Sequence, residues 1–183
     1  MKLERLAELT TSAHAGTAFR AVNLRYLDTP LSAIGSVKAG GRYNPKGAFE
    51  VLYLAENATT ALLEVQFAAS SGGRFKAQPK DPYIVFSVRF ELQRLVDLGS
   101  PETLTKLELT ADNLKQPWRL KQARGEAVLT HEIGTRLYEL GHEGFKYPSA
   151  TDDAVNLAIF PANLKAGSYL EVRWEGRTLA KLP

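Results

Sequence analysis

A guanidinium behind two glycines, an aromatic ring, a carboxylate and a hydroxyl are the side chains whose types and spacing can do chemistry here. Residues 40–47 read Gly-Gly-Arg-Tyr-Asn-Pro-Lys-Gly. The paired glycines permit positive φ and close backbone approach, and Arg42 follows them at once, able to grip a phosphate with two parallel hydrogen bonds. The same octet also reads as a turn with an exposed arginine. Tyr53 falls in an apolar run, Val51-Leu52-Tyr53-Leu54-Ala55, short enough for a buried strand. Glu64 comes eleven residues after Tyr53, on a helix that folds back from that strand, so ring and carboxylate can share a pocket. In Tyr147-Pro148-Ser149-Ala150 a strand gives way to a loop with a hydroxyl at its tip. Taken singly, a shoulder glutamate is a solvated charge and Pro-Ser an ordinary turn signal.

Other chemistries are excluded by what is missing. The chain has no cysteine and three histidines, which removes disulfides, a thiol nucleophile and cysteine-based zinc sites. His131-Glu132 lacks the second histidine of a zinc protease helix, because Thr135 stands there. There is no phosphate-binding Gly-Lys-Ser/Thr loop and no serine in a nucleophile elbow, and Gly40-Gly41 lacks the spacing of a dinucleotide fingerprint. His142-Glu143 follows a helix stop and is expected to be a solvated turn. Trp118, between Pro117 and Arg119, is expected to be a packing anchor. The net charge of +3, with a pI near 9.1, comes without any run of like charges, so no direct contact with nucleic acid is expected.

These residues need a scaffold, and 183 residues with 44% hydrophobic content suffice for one domain, residues 1–183, with a core of its own. The charged start offers no apolar run for a signal sequence, and nowhere do 18 uncharged apolar residues follow one another, so a cytoplasmic protein without membrane contact is expected. Residues 1–18 read as a short helix ending near Thr10-Thr11-Ser12, and 19–22 as a first strand. Residues 28–47, with two prolines, four glycines and two serines, read as a long irregular segment, and such segments are more often functional than idle. Asn57 then offers a helix N-cap, and Ala58, Ala61, Leu62, Val65 and Ala69 recur at helical spacing, with a stop at 70–73. At 100° per residue Glu64 falls roughly 120° from the centre of that stripe, on its shoulder. Residues 83–90 alternate as a strand, and 95–98 suggest another. Ser100-Pro101-Glu102 opens a short helix, and 126–140 form a longer one stopped by Gly141. Strands follow at 144–147, 156–160 and 168–174. Strands outnumber helices without alternating with them, which predicts an α+β fold rather than a doubly wound parallel sheet.

In this order the motifs resemble the RES family, named for its Arg, Glu and Ser. The likeness runs from Phe19-Arg20 through Gly41-Arg42-Tyr43-Asn44, Leu52-Tyr53-x-Ala55 and Thr60-Ala61-x-x-Glu64-Val65. It resumes at Pro148-Ser149-Ala150 and closes with Asn156-Leu157-Ala158-Ile159-Phe160-Pro161. Tyr43 replaces a frequent tryptophan and keeps an aromatic; residues 74–130 carry no motif. The resemblance implies a fold like that of ADP-ribosyltransferase toxins: a split, mixed or antiparallel sheet core with flanking helices and a central cleft. It implies the toxin of a type II toxin–antitoxin pair, held by an Xre-type antitoxin, that consumes NAD⁺ by breaking the nicotinamide–ribose bond with water or phosphate as acceptor. Transfer of ADP-ribose to a protein is the alternative within the family. By motif position it assigns catalysis to Arg42, Tyr53, Glu64 and Ser149, and substrate contacts to Arg20, Arg42, Tyr53, Ser149, Gly41 and Asn44.

The residue types suit that reaction. Nicotinamide leaves NAD⁺ as a neutral base and needs no general acid, so the barrier lies in positive charge building on the ribose. Glu64 is the negative charge among the motif residues and can stabilise that cation, accept a ribose hydroxyl or position water. Arg42 would hold the diphosphate, Tyr53 would stack on nicotinamide, and Ser149 would orient Glu64 or the ribose. Neither a metal nor a cofactor beyond the NAD⁺ substrate is required. A non-catalytic nucleotide- or nucleic-acid-binding module is the reading from another class, and a homo-oligomer stays open.

Overall fold

The computed structural model describes residues 1–70 and 82–183. Seven strands form one sheet: β1 (Ser12–Asn23), β2 (Leu52–Ala55), β3 (Tyr83–Asp97), β4 (Gly144–Pro148), β5 (Val155–Ile159), β6 (Tyr169–Trp174) and β7 (Arg177–Leu182). Their order is β1-β2-β5-β4-β3-β6-β7, and β1 also pairs with β3, so five of them close into a ring with β6 and β7 appended. Only β3–β4 is parallel among these pairings. Mixed pairing with helices outside the strand succession makes the fold α+β. The strands belong to a single closed sheet rather than to two split halves.

Alternation along β5 shows how the sheet sorts its faces. Leu157 and Ile159 join a core cluster with Leu52, Leu54, Phe86, Val88 and Leu170. Ala158 and Phe160 point the other way, into a cluster with Phe145, Tyr147, Val96 and the helical residues Leu107, Leu114, Ile133 and Leu137. Tyr53 pairs with Ala158 and Ala55 with Asn156 across β2–β5, while Tyr147 pairs with Asn156 across β4–β5. Since directly opposed residues share a face, Tyr53, Asn156 and Tyr147 are presented together on the helix-covered side.

The helices are α1 (Ile34–Ala39), α2 (Ala58–Ser70), α3 (Pro101–Leu107), α4 (Ala111–Lys115), α5 (Trp118–Ala123) and α6 (Leu129–Glu139). Ser100 caps α3 through the Thr103 amide, with Pro101 in the first turn, as expected from that tripeptide. Thr110 and Asn113 close a capping box on α4. Several expectations need correction. The chain start is a 3₁₀ turn over Leu3–Glu8, and β1 begins already at Ser12. Residues 28–47 are not wholly irregular, because they hold α1. Residues 95–98 do not begin a new strand; β3 runs through to Asp97. The helix stop expected at 70–73 falls largely outside the described residues. Leu62, assigned to the apolar stripe of α2, is exposed.

His142-Glu143 is the largest correction. Both residues are buried, Glu143 completely. Where β3 leaves β6 after Glu91 and meets β4 from Leu95, its register against β1 slips, placing an extra β3 residue between Leu92 and Leu95. Such a bulge strands backbone amides. One oxygen of Glu143 accepts both, from Gln93 and Arg94 at 2.6 Å each. The other accepts from the Lys165 amide at 2.8 Å. Burial pushes the carboxyl up, but the Ser168 hydroxyl and the Lys165, Arg94 and Gln93 amides together hold it below its ordinary 4.5. In a pair that reads as a surface turn, Glu143 is the brace of the sheet.

Candidate active site

Against that outer sheet face lies an open cleft of about 320 Å³, lined among others by Arg20, Gly41, Arg42, Tyr53, Glu64, Trp118, Arg119, Tyr147 and Asn156. The strands supply its floor, α2 brings Glu64, and the 40–47 loop and the start of α5 supply the walls.

Glu64 is half-buried, and its placement is built from three elements. Asn57 caps α2 through the Thr60 amide at 2.8 Å, fixing where the helix begins and hence which way Glu64 points. One carboxylate oxygen accepts from the Ser149 hydroxyl at 2.9 Å and from the Asn156 side-chain amide at 2.7 Å. The β4–β5 loop that carries Ser149 is latched to α2 by Thr60, whose hydroxyl donates to Asp152 at 2.6 Å. This pair helps hold the Asp152 carboxyl below its ordinary value. Ser149 is fully buried and sits behind Glu64, outside the cleft lining. Asn156 keeps its side-chain oxygen buried without a partner among the described residues.

The 40–47 loop owes its shape to close approach. A Cβ on Gly41 would stand 2.5 Å from both the Tyr53 hydroxyl and the Asn44 side-chain oxygen, so only glycine fits. Gly40 takes φ +77°, the left-handed region glycine favours. The Tyr53 hydroxyl accepts from the Tyr43 amide at 2.9 Å and donates to Asn44 at 2.8 Å, and burial raises its pKa, so it stays a neutral phenol. Asn44 is fully buried, donating to the carbonyls of Ser36 and Phe49; it shapes the loop and lies outside the lining. Tyr43 packs edge-on against Phe145 and Tyr147. His131, rejected as a zinc ligand, bridges to the Gly41 carbonyl at 2.9 Å and so ties α6 to the loop.

Positive charge dominates the cleft. Arg20 donates from Nη2 to the Ser32 carbonyl at 2.8 Å, while Nη1 is buried without a partner among the described residues. Loss of hydration lowers its pKa to about 10, which leaves it charged at neutral pH. Arg42 is 8% exposed, and its Nη1 donates to the carbonyls of Leu114 and Gln116, 3.0 Å each. Arg119 stacks on the Trp118 ring at 4.4 Å. Trp118 is the buried anchor expected of it and also a cleft wall. The structure thus brings Arg20, Gly41, Arg42, Tyr53 and Glu64 to one cavity and places Asn44 and Ser149 behind it. Sequence reasoning missed Arg119, Asn156 and Tyr147 as cleft residues. For Asn156 and Tyr147 the signal was there, since each opens one of the quoted motif stretches; for Arg119 there was none.

The RES domain family model matches residues 17–179. A chain in the crystal structure of the M. tuberculosis MbcT–MbcA toxin–antitoxin complex has a similar fold, with a TM-score of 0.70 at 21% sequence identity, covering 94% of this chain and 88% of that one. No curated protein sequence matches.

Proposed function

From the premise that this chain belongs to the RES domain family, we propose that it is the toxin of a toxin–antitoxin pair and degrades NAD⁺ by cleaving the nicotinamide–ribose bond. The observation that carries this reading is Glu64: one carboxylate, pinned by Ser149 and Asn156 and facing a cleft otherwise rich in arginine. In the reaction the bond from the ribose anomeric carbon to the pyridinium nitrogen breaks, and its electron pair neutralises the departing nicotinamide. The ribose becomes cationic. A carboxylate fixed before the reaction stabilises that charge without reorganising, an effect of about 3–4 kcal/mol for preorganised groups. Water or phosphate then bonds to the anomeric carbon and, in the case of water, releases a proton. Tyr53 offers its ring to the nicotinamide, and the arginines offer charge to the diphosphate. Asn44 and Gly41 keep the wall in shape, and Ser149 and Asn156 keep Glu64 aimed.

In this reading the cleft is of the ADP-ribosyltransferase kind, the protein works in the cytoplasm, and an Xre-type antitoxin restrains it by covering the cleft. Exposed Ile34, Leu62 and Leu120 support such a cover, since each adjoins a lining residue: Gly35, Ala61 and Arg119. The deciding experiment incubates purified protein with NAD⁺, with and without phosphate, and identifies the products. Free nicotinamide with ADP-ribose or its phosphate ester is expected. Label transferred to protein would make it an ADP-ribosyltransferase, and NAD⁺ left intact over hours would make it a binding module.

A further inference from the structure

We propose that Thr60 and Asp152 form a positioning pair that turns the Ser149 hydroxyl toward Glu64. The proposal rests on the reading of Glu64 as the carboxylate that meets the ribose cation, and names what aims it from outside the cleft.

Two rungs join the same two elements. Thr60 and Glu64 stand four residues apart on α2, the spacing that makes side chains neighbours on one helix face. Ser149 and Asp152 stand three apart on the β4–β5 loop. Asp152 meets Thr60 at 2.6 Å, and Ser149 meets Glu64 at 2.9 Å. One rung would let the loop pivot against the helix; two fix its rotation. Asp152 commits both oxygens to this: Oδ2 accepts from the Thr60 hydroxyl, and Oδ1 accepts from the Ala154 amide at 3.2 Å, folding the loop on itself. No acid stands in the first turn of α2, so Asp152 also supplies the negative charge that a helix N-terminus favours. Neither Thr60 nor Asp152 lines the cleft. Their route to the reaction runs through Ser149.

Proton counting gives the pair its direction, since each hydroxyl has one proton to donate. Thr60 has two acceptors in reach, Asp152 at 2.6 Å and the Asn57 side-chain oxygen at 3.1 Å. The carboxylate is the closer and the charged one, and the Asn57 oxygen already accepts from the Thr60 amide. The Ser149 hydroxyl lies beside two carboxylates: it donates to Glu64 and also favours the charge on Asp152. With Asp152 satisfied by Thr60, the Ser149 proton goes to Glu64. The Ser149 oxygen then accepts from the Thr151 amide at 3.1 Å and from the Thr151 hydroxyl at 2.9 Å. Without the Thr60 hydroxyl, Asp152 competes with Glu64 for that proton. Asn156 holds Glu64 from β5 and not from the loop, so the loss is partial.

The test measures nicotinamide release from NAD⁺, thermal melting and amide hydrogen exchange in wild type, Thr60→Val, Thr60→Ser, Asp152→Ala, Ser149→Ala and the Thr60→Val/Ser149→Ala double variant. Thr60→Val is expected to lower kcat by about tenfold with KM within about threefold. Asp152→Ala frees the loop but removes the competing acceptor, so its kcat should fall less, by about threefold. Thr60→Ser keeps the hydroxyl and should stay within about twofold of wild type. Once Ser149 is alanine, Thr60→Val should cost no further activity. The Thr151 amide donates to Ser149, so its exchange reports that hydroxyl with no substrate present. It should quicken by about tenfold in Thr60→Val while the Phe145 and Leu157 amides hold their rates. A lowered Tm with unchanged kcat in Thr60→Val, or an equal loss with and without Ser149, would overturn the proposal. Unchanged Thr151 exchange in Thr60→Val overturns it too. Quickened exchange in a protein that leaves NAD⁺ intact would uphold the pair as the guide of Ser149 and remove the NAD⁺ reading alone.

Discussion

A carboxylate that accepts two hydrogen bonds on one oxygen is held in place for its other contacts, and the cleft gives Glu64 one task, to meet positive charge. Replacing it with glutamine keeps the shape and removes the charge. Glu64→Gln is expected to lower kcat for nicotinamide release by about 10² or more, with KM for NAD⁺ nearly unchanged; full activity would take Glu64 out of the mechanism. Ser149→Ala tests the aim rather than the charge. Hydrogen bonds to charged groups contribute about 1.5–3 kcal/mol, and Asn156 still holds the same oxygen, so kcat should fall about tenfold with KM within about threefold. A loss carried mainly in KM would move Ser149 to substrate binding. Helical spacing alone puts Glu64 on a shoulder, and the structure finds it half-buried there. Its partners lie 85 and 92 residues away, and no local pattern reports a contact that only strand pairing creates. Arg119 was illegible for the same reason: the end of α4 and the turn that precedes Arg119 accept hydrogen bonds from Arg42 across 72 and 74 residues.

Elements position these side chains, and α6 shows how a helix can be chosen for its surface rather than its propensity. Gly134 sits inside α6, where alanine would ordinarily stabilise by about 0.8–1 kcal/mol. Here a Cβ would run into the carbonyl of Tyr43. Backbone cannot yield as a flexible side chain can, and overpacking of this kind costs about 1–3 kcal/mol or more. Gly134→Ala is therefore expected to lower Tm and also to raise KM for NAD⁺, because the displaced Tyr43 lies between Arg42 and Asn44. A higher Tm would mean that propensity wins and that α6 does not set the loop. Ser100-Pro101 and the alternation of 83–90 were readable because they are local. The helices α4 and α5, five and six residues long, were not, since neither spans two full turns and periodicity needs that length. The strand β7 escaped because its burial is slight throughout.

At the scale of the whole molecule the sheet closes on itself, and the cost of closure is a bulge in β3 that only a buried anion relieves. Composition and strand count pointed to an α+β fold, but ring closure depends on β1 meeting both β2 and β3, which no single segment encodes. Its consequence is a definite pH response. The Glu143 carboxyl is held below its ordinary 4.5, so its contribution is fully present above that pH and is lost as pH falls through the lower folded value. His142 is buried with both ring nitrogens unpartnered among the described residues. Burial first, then Arg94 and Lys165, lowers its pKa from 6.5. His14 and His131 are lowered as well, chiefly by burial. For each histidine the unfolded chain binds the proton more readily, so stability also declines as pH drops below 6.5. Both effects have one sign. Chemical denaturation from pH 8 to 3 should show a plateau above about pH 6.5, a shallow decline below it and a steeper one below 4.5. Glu143→Gln should be less stable at neutral pH by about 1–3 kcal/mol, the cost of leaving buried amides poorly paired, and should have a shallower acid limb, keeping only the share that Asp152 and Glu108, also held below their ordinary values, contribute. His142→Phe should keep that steep part and flatten the shallow one. An acid limb of unchanged slope in Glu143→Gln would show that the bulge amides find other partners and that closure of the sheet does not depend on this carboxylate.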